Sequence, residues 1–179
     1  MKKVMFIAAM AMCVQISMFG QKIEKSQIDN FTGEKVVYTS WERIKMGKGA
    51  TGENNLLFMF RHENNTNYLH LKWITAEILS VLDDARIMFK FNDNSIITLN
   101  SIYSVVASRG GGVNGLSWSN AIGLEAIYKG SEIGGFAKQL VVTQMRIYTT
   151  KGYVDIDLND KDAQKINRAF QLLLSEVKK

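Results

Sequence analysis

The chain has 179 residues, one cysteine, no proline and a formal net charge of +5, with 22 Lys and Arg against 17 Asp and Glu. That length suits one domain, and a lone cysteine excludes a disulfide framework within the chain. The charge is mild and contains no block of five like charges, which argues against the dense basic stripe of a nucleic-acid binder.

The N-terminus differs in kind from the rest. Lys2 and Lys3 form a positive start, and residues 4–14 are an apolar run that Gln15 and Ser17 interrupt. A membrane-spanning helix needs about 20 apolar residues, so this run fits the core of a secretory signal instead. Gly20 supplies the small residue before the expected cleavage point, although Met18 is larger than the usual residue two places earlier. Acylation at Cys13 would need a small residue before it, and Met12 does not suit. Cleavage after Gly20 lowers the net charge to +3 and removes Cys13, and with it any thiol nucleophile or thiolate metal site. The expected organisation is a signal peptide over residues 1–20 and a single β-rich domain over residues 21–179. No transmembrane segment remains after cleavage, and the location is periplasmic, secreted or cell-surface.

Without proline, turns fall to Asn, Asp and Gly. Clusters at residues 30–33, 47–55, 64–67, 92–94 and 151–152 separate runs rich in β-branched and aromatic residues. Residues 56–63 turn through 64–67 into 68–74, and pairing Phe58 with Trp73, Phe60 with Leu71 and His62 with Leu69 gives a continuous apolar face. Residues 86–91 turn at Asn92-Asp93-Asn94 into 95–100, so that Ile87, Phe89 and Phe91 share a face with Ile97 and Leu99. A short helix is expected at residues 131–138, against the propensity of Gly134 and Gly135.

The last hairpin joins residues 141–149 to 153–158 through a two-residue loop, Lys151-Gly152. Met145, Ile147, Val154, Ile156 and Leu158 then fall on one face, and Arg146 faces Asp157 on the other. A closing helix follows, capped by Asn159, with Asp160 and Asp162 in its first turn and Lys178 and Lys179 beyond its last. Ala163, Ile166, Phe170, Leu173 and Val177 form its apolar stripe.

Motifs that carry chemistry are weak. Gly110-Gly111-Gly112-Val113-Asn114-Gly115 has the glycine spacing of a dinucleotide loop. The following Leu116-Ser117-Trp118-Ser119-Asn120 lacks the helical period that would bring a helix N-terminus to a pyrophosphate, and an exposed loop is expected. Asp155-Ile156-Asp157-Leu158-Asn159 opens like a calcium loop, but its sixth and twelfth places are Asp160 and Ile166 rather than Gly and Glu. His62 and His70 point to opposite sides of the first hairpin, so one metal ion cannot take both. Gly47-Lys48-Gly49-Ala50-Thr51-Gly52 lacks the Gly-Lys-Ser/Thr ending of a phosphate loop and reads as a mobile loop. Asp83 and Asp84 read as turn residues. Neither a nucleophile elbow nor an H-E-x-x-H pair occurs. Trp73 belongs to the core by parity. Trp118, in a polar glycine-rich stretch, is the candidate recognition residue.

An Ala/Met-rich leader followed at once by Gln21, together with the ending Met145-Arg146-Ile147-Tyr148-Thr149-Thr150, Lys151-Gly152-Tyr153 and a capped helix, resembles the small exported proteins of Bacteroidota. The resemblance covers about the first and last fifths of the chain. It implies a periplasmic or surface location, and it brings no activity and no catalytic residues.

The expected fold is a β-rich α+β domain of about eight mostly antiparallel strands, as a sandwich or partly closed barrel, with the C-terminal helix packed on it. The expected function is a non-enzymatic binding or structural module of the envelope with an unidentified envelope or surface partner, without nucleic acid, cofactor or metal. A lipid-like small-molecule carrier with a β-enclosed cavity is the alternative. Against it stand the helix expected near Ser131 and the lack of a Gly-x-Trp entry, since Thr39-Ser40 precedes Trp41. A carboxylate-dependent hydrolase ranks third, because such carboxylates meet only in space. A filled core would favour the binding module, an interior cavity the carrier, and two carboxylates in one cleft the hydrolase.

Overall fold

The computed structural model describes residues 20–49, 52–75, 78–109, 122–138 and 140–179. The leader with Cys13, the Gly110–Gly115 run and Trp118 lie outside the described residues. Thirteen strands are described: β1 (Ile23–Ile28), β2 (Lys35–Thr39), β3 (Glu42–Gly49), β4 (Gly52–Glu63), β5 (Thr66–Thr75), β6 (Ser80–Val81), β7 (Arg86–Phe91), β8 (Ile96–Ser101), β9 (Val105–Val106), β10 (Ser108–Arg109), β11 (Ile122–Lys129), β12 (Val142–Thr149) and β13 (Gly152–Asp157). A 3-10 helix spans Ser131–Ala137, and the chain closes with α1 (Asp160–Val177).

Every strand pairing among the described residues is antiparallel. The main sheet runs β1-β2-β4-β5-β11-β8-β7-β12-β13, with β3 added to β4 and β10 to β11, while β6 and β9 form a separate two-stranded ladder. The domain is therefore the β-rich antiparallel fold with a C-terminal helix that the sequence implies. The strands are more numerous than eight: eleven of those described form the main sheet, which is not closed into a barrel, and β6 and β9 stand apart from it. β1 and β13 are its edges, and among the described residues no pairing joins them. Instead α1 packs against β2 and β4 from one end of the sheet and β12 from the other. The sheet curls around the helix, and the helix closes what a barrel would close with hydrogen bonds.

The interior is aromatic. Phe136 of the 3-10 helix is fully buried, with ring centroids 4.9 Å from Phe89, 5.4 Å from Phe60, 5.8 Å from Phe170 and 6.1 Å from Phe91. Ile133 and Phe136 are the buried residues of the 3-10 helix, and a three-residue step is the repeat of that helix type. Gly135 also has a use beyond propensity: a Cβ there would come within 2.8 Å of Ile97 Cγ2. From α1, Asn167 Nδ2 donates to the Leu140 carbonyl at 2.6 Å, fixing the chain as it leaves the 3-10 helix. The Asn159 side chain accepts from Asp162 N at 3.0 Å, the expected cap, and Ala163, Ile166, Phe170 and Leu173 are buried as the stripe requires.

Two expected registers are corrected, each by two residues. Asn64 and Asn65 both take positive φ, 50° and 54°, as a type I′ turn demands. The β4–β5 loop is therefore two residues rather than four, and Phe58 meets Leu71, Phe60 meets Leu69 and His62 meets Asn67. In the last hairpin Thr149 pairs with Gly152, and Gly152 carries the positive φ of 106°. The loop is Thr150-Lys151, with Gly152 closing it in the left-handed region. Arg146 therefore faces Asp155, not Asp157, through two hydrogen bonds of 2.6 Å, and Gln144 takes Asp157. Shifts of two leave each side chain on its expected face. The expected loop at Gly47 is also overturned: β3 continues to Gly49, which pairs with Gly52 of β4.

Phe136→Ala removes the ring shared by the sheet, the 3-10 helix and α1. The expected loss is about 3–5 kcal/mol of unfolding free energy, the usual range for a buried phenylalanine, read as a lowered midpoint in urea denaturation.

Candidate functional site

At one end of the sheet, four separate pieces of chain converge on an open cleft of about 760 Å³. The β4–β5 turn brings Asn65, Thr66 and Asn67. The turn before β7 brings Asp84, whose φ is 60°. β8 contributes Thr98 and Asn100, and the junction of β11 with the 3-10 helix contributes Lys129, Ser131 and Glu132. Gly130 lets that junction approach β8 closely: a Cβ there would lie 3.1 Å from the Thr98 carbonyl and 3.0 Å from Leu99 Cδ2.

The lining is amide, hydroxyl and carboxylate, with Ile133 the apolar member. Its polar groups are held in place. Asn100 Nδ2 donates to Asp84 Oδ1, and Thr98 N donates to Glu132 Oε2. Asn67 Oδ1 lies 2.8 Å from His62 Nδ1; when that nitrogen carries the proton, the Asn67 amide group is left to donate elsewhere. Each carboxylate thus has one oxygen engaged. Asp84 and Glu132 are both exposed. The arrangement suits accepting and donating hydrogen bonds more than proton transfer.

A second polar cluster lies on the outer face, where β5 and β11 pair. His70 is 4% exposed. Its Nδ1 lies 3.2 Å from Glu125 Oε1, and Lys72 Nζ lies 3.6 Å from Glu125 Oε2. The same lysine sits 4.2 Å over the Trp41 ring, which meets His70 edge-on at 6.3 Å. Burial pushes the Glu125 carboxyl up, but the His70 hydrogen bond and the Lys72 charge together outweigh it and hold the group below its ordinary 4.5. His70 Nε2 is buried without a hydrogen-bond partner. The glutamate orients the imidazole as in a catalytic dyad, but no Ser, Thr or Cys side chain among the described residues bonds to it, so the cluster reads as a lock between strands.

His62 and His70 fall on opposite faces, as the sequence implies: His62 sits beside the core and His70 beside Glu125. Trp73 is in the core, and Asp83 and Asp84 form a turn. The carboxylates of the calcium-like run are dispersed. Asp155 is spent on Arg146, Asp157 on Gln144, and Asp162 on Asn159 and Lys165. Among the described residues no group of three or more His, Cys, Asp or Glu could hold a metal ion, and no helix is long and apolar enough to cross a membrane. Sequence reading missed Asn100, Glu132, Lys72 and Glu125, which acquire meaning only through strand pairing; the Asn64-Asn65 pair was the one local signal, as a type I′ turn.

No protein-family model, curated protein or solved structure matches this chain.

Glu125 carries a pH signature. A carboxyl depressed in the folded state stabilises fully above its unfolded value and loses that contribution as pH falls through the folded one. Thermal melts taken from neutral pH down through 4.5 should show stability falling in the acid limb. Glu125→Gln should lower the neutral-pH midpoint and flatten that limb.

Proposed function

We propose that the protein is an exported, non-enzymatic binding module of the cell envelope, and that its cleft takes a neutral, polyhydroxylated ligand of the saccharide class. The observation that carries this reading is the cleft lining. Amide groups and a lysine donate, while amide carbonyls, hydroxyls and carboxylates accept, which matches groups that both donate and accept. Lys129 is its lone cation among the described residues, a poor match for a phosphate, and a lipid would find little beyond Ile133. The place where a carrier would enclose its cargo is filled by Phe60, Phe89, Phe136 and Phe170. The leader, with its two lysines, apolar run and Gly20, supports export, and so does the resemblance to exported Bacteroidota proteins.

The hydrolase reading retains one specific support, because Asp84 and Glu132 line the same cleft. A panel of envelope and host oligosaccharides, followed by amide chemical shifts and by reducing-end release, separates the two readings. The binding module requires shifts clustered at Asn67, Asn100 and Ser131 without release of reducing ends. Asn100→Ala should weaken that binding about three- to tenfold, the worth of a direct hydrogen bond. Release abolished by Asp84→Asn or Glu132→Gln would replace the module with a hydrolase. A panel that leaves the cleft unshifted would remove the saccharide assignment. N-terminal sequencing of the protein from the envelope fraction should begin at Gln21; a cytosolic protein starting at Met1 would refute export.

A further inference from the structure

The turn between β1 and β2 presents Phe31 at 100% exposure, with Ile28 beside it at 56%. The turn itself is tightly held. Asp29 Oδ1 accepts from Phe31 N and Thr32 N, both at 2.8 Å. The Asp29 carbonyl accepts from Gly33 N at 2.8 Å, and Asp29 N donates to the Glu34 carbonyl at 2.8 Å. Gly33 takes φ 72° to close it. A lone exposed apolar residue is ordinary. This one is presented on a backbone whose ordering cost is already met, as in a pre-organised binding anchor. Asp29 stands beside the ring, and the backbone hydrogen bonds from Thr32 and Phe31 hold its carboxyl below its ordinary range; Glu34 is turned inward, with Oε1 accepting from Asn65 Nδ2 at 3.3 Å and Oε2 buried.

The same chain carries a complementary surface. A groove of about 350 Å³ runs beside the N-terminal part of α1, with Leu172 at its apolar end and Lys161, Lys165 and Arg168 along it. Glu42 is its one carboxylate among the described residues and already accepts from Ser40 Oγ at 3.1 Å. Gln21, just before β1, lines this groove, whereas Phe31 lies just beyond the other end of β1. Six residues of extended strand separate the two by about 20 Å, so a molecule cannot fill its own groove with its own tip.

We propose that the β1–β2 tip of one copy seats Phe31 in the α1 groove of a second copy, with Asp29 meeting Lys161 and Arg168. Tip and groove are different patches, so the contact is head-to-tail and builds chains or rings rather than an isologous dimer.

Sedimentation of the purified protein over a concentration series tests this. The wild type should grow beyond a dimer with concentration, and less so at high salt, because the rim is charged. Phe31→Ala should weaken association about tenfold to a hundredfold, as the lost burial of one phenylalanine side chain implies. The double variant Lys161→Glu/Arg168→Glu should do the same from the other side. Both variants should melt like the wild type. Mixed together, they should form dimers and stop there, since each retains one working patch. A wild type that stays monomeric at every concentration would overturn the proposal and leave the tip to another partner or a membrane. So would a Phe31→Ala variant that associates normally, or a mixture of folded variants that stays monomeric.

Discussion

The packing of Phe136 against Phe60, Phe89 and Phe170 sets the shape of the molecule. These rings come from β4, β7, the 3-10 helix and α1, elements well separated along the chain, and their centroids lie within about 6 Å of the Phe136 ring. A sheet of this length must twist and curl, and its two edges would close only if β1 met β13. The aromatic cluster offers another solution. It draws α1 into the opening, so that Ile166, Phe170 and Leu173 cover apolar residues from both arms of the sheet. Side-chain burial thus replaces a row of backbone hydrogen bonds, and among the described residues the edge strands β1 and β13 each pair on one side. β1 meets that exposure with a nearly continuous exposed polar run, Glu24 to Gln27, the kind of edge that resists indiscriminate pairing.

Parity and register separate cleanly in how far the sequence reveals them. The apolar faces of all three hairpins follow from alternation alone, because burial of one side fixes which residues face inward. Register depends on where a turn begins, and that is a matter of one or two backbone angles. Asn64 and Asn65 both adopt left-handed conformations, whereas Gly152 does so alone, behind its turn. Loop composition does not distinguish these cases. Each error of two residues preserved the faces and changed the neighbours, which is why the core was legible while Arg146 was matched to the wrong aspartate. The final helix was legible in full, since its cap and stripe are local in sequence.

The cleft was opaque for the converse reason. Asn67, Asp84, Asn100 and Glu132 are ordinary turn and strand-end residues when read in order. They become one surface only because the sheet places β5, β11, β8 and β7 side by side, and because Gly130 lets the 3-10 helix begin tight against β8. The Glu125–His70 pair has the same origin: 55 residues apart, they lie on adjacent paired strands. Spacing motifs register chemistry built on one element. Chemistry shared between strands needs the register, the quantity the sequence specified least well.

Function and stability are consequently divided between the ends of the strands and their middles. Phe58, Leu71, Phe89 and Ile147 occupy mid-strand positions and serve the core, while the polar cleft and the acidic tip are both built on Asn, Asp and Gly turns at strand ends. A chain without proline cannot stiffen such turns by locking φ. It does so with side chains that bond back to the backbone, as Asp29 does at the tip and Asp93 does to Ser95 N in the β7–β8 turn. The two surfaces proposed for recognition are thus braced by side-chain hydrogen bonds, within the turn at Asp29 and between elements in the cleft, where Asp84 holds Asn100 and Glu132 holds Thr98 N, while the phenylalanine cluster holds the centre. Their outward residues can change without disturbing it, so one sheet can present new ligands or new assembly contacts while its centre stays constant.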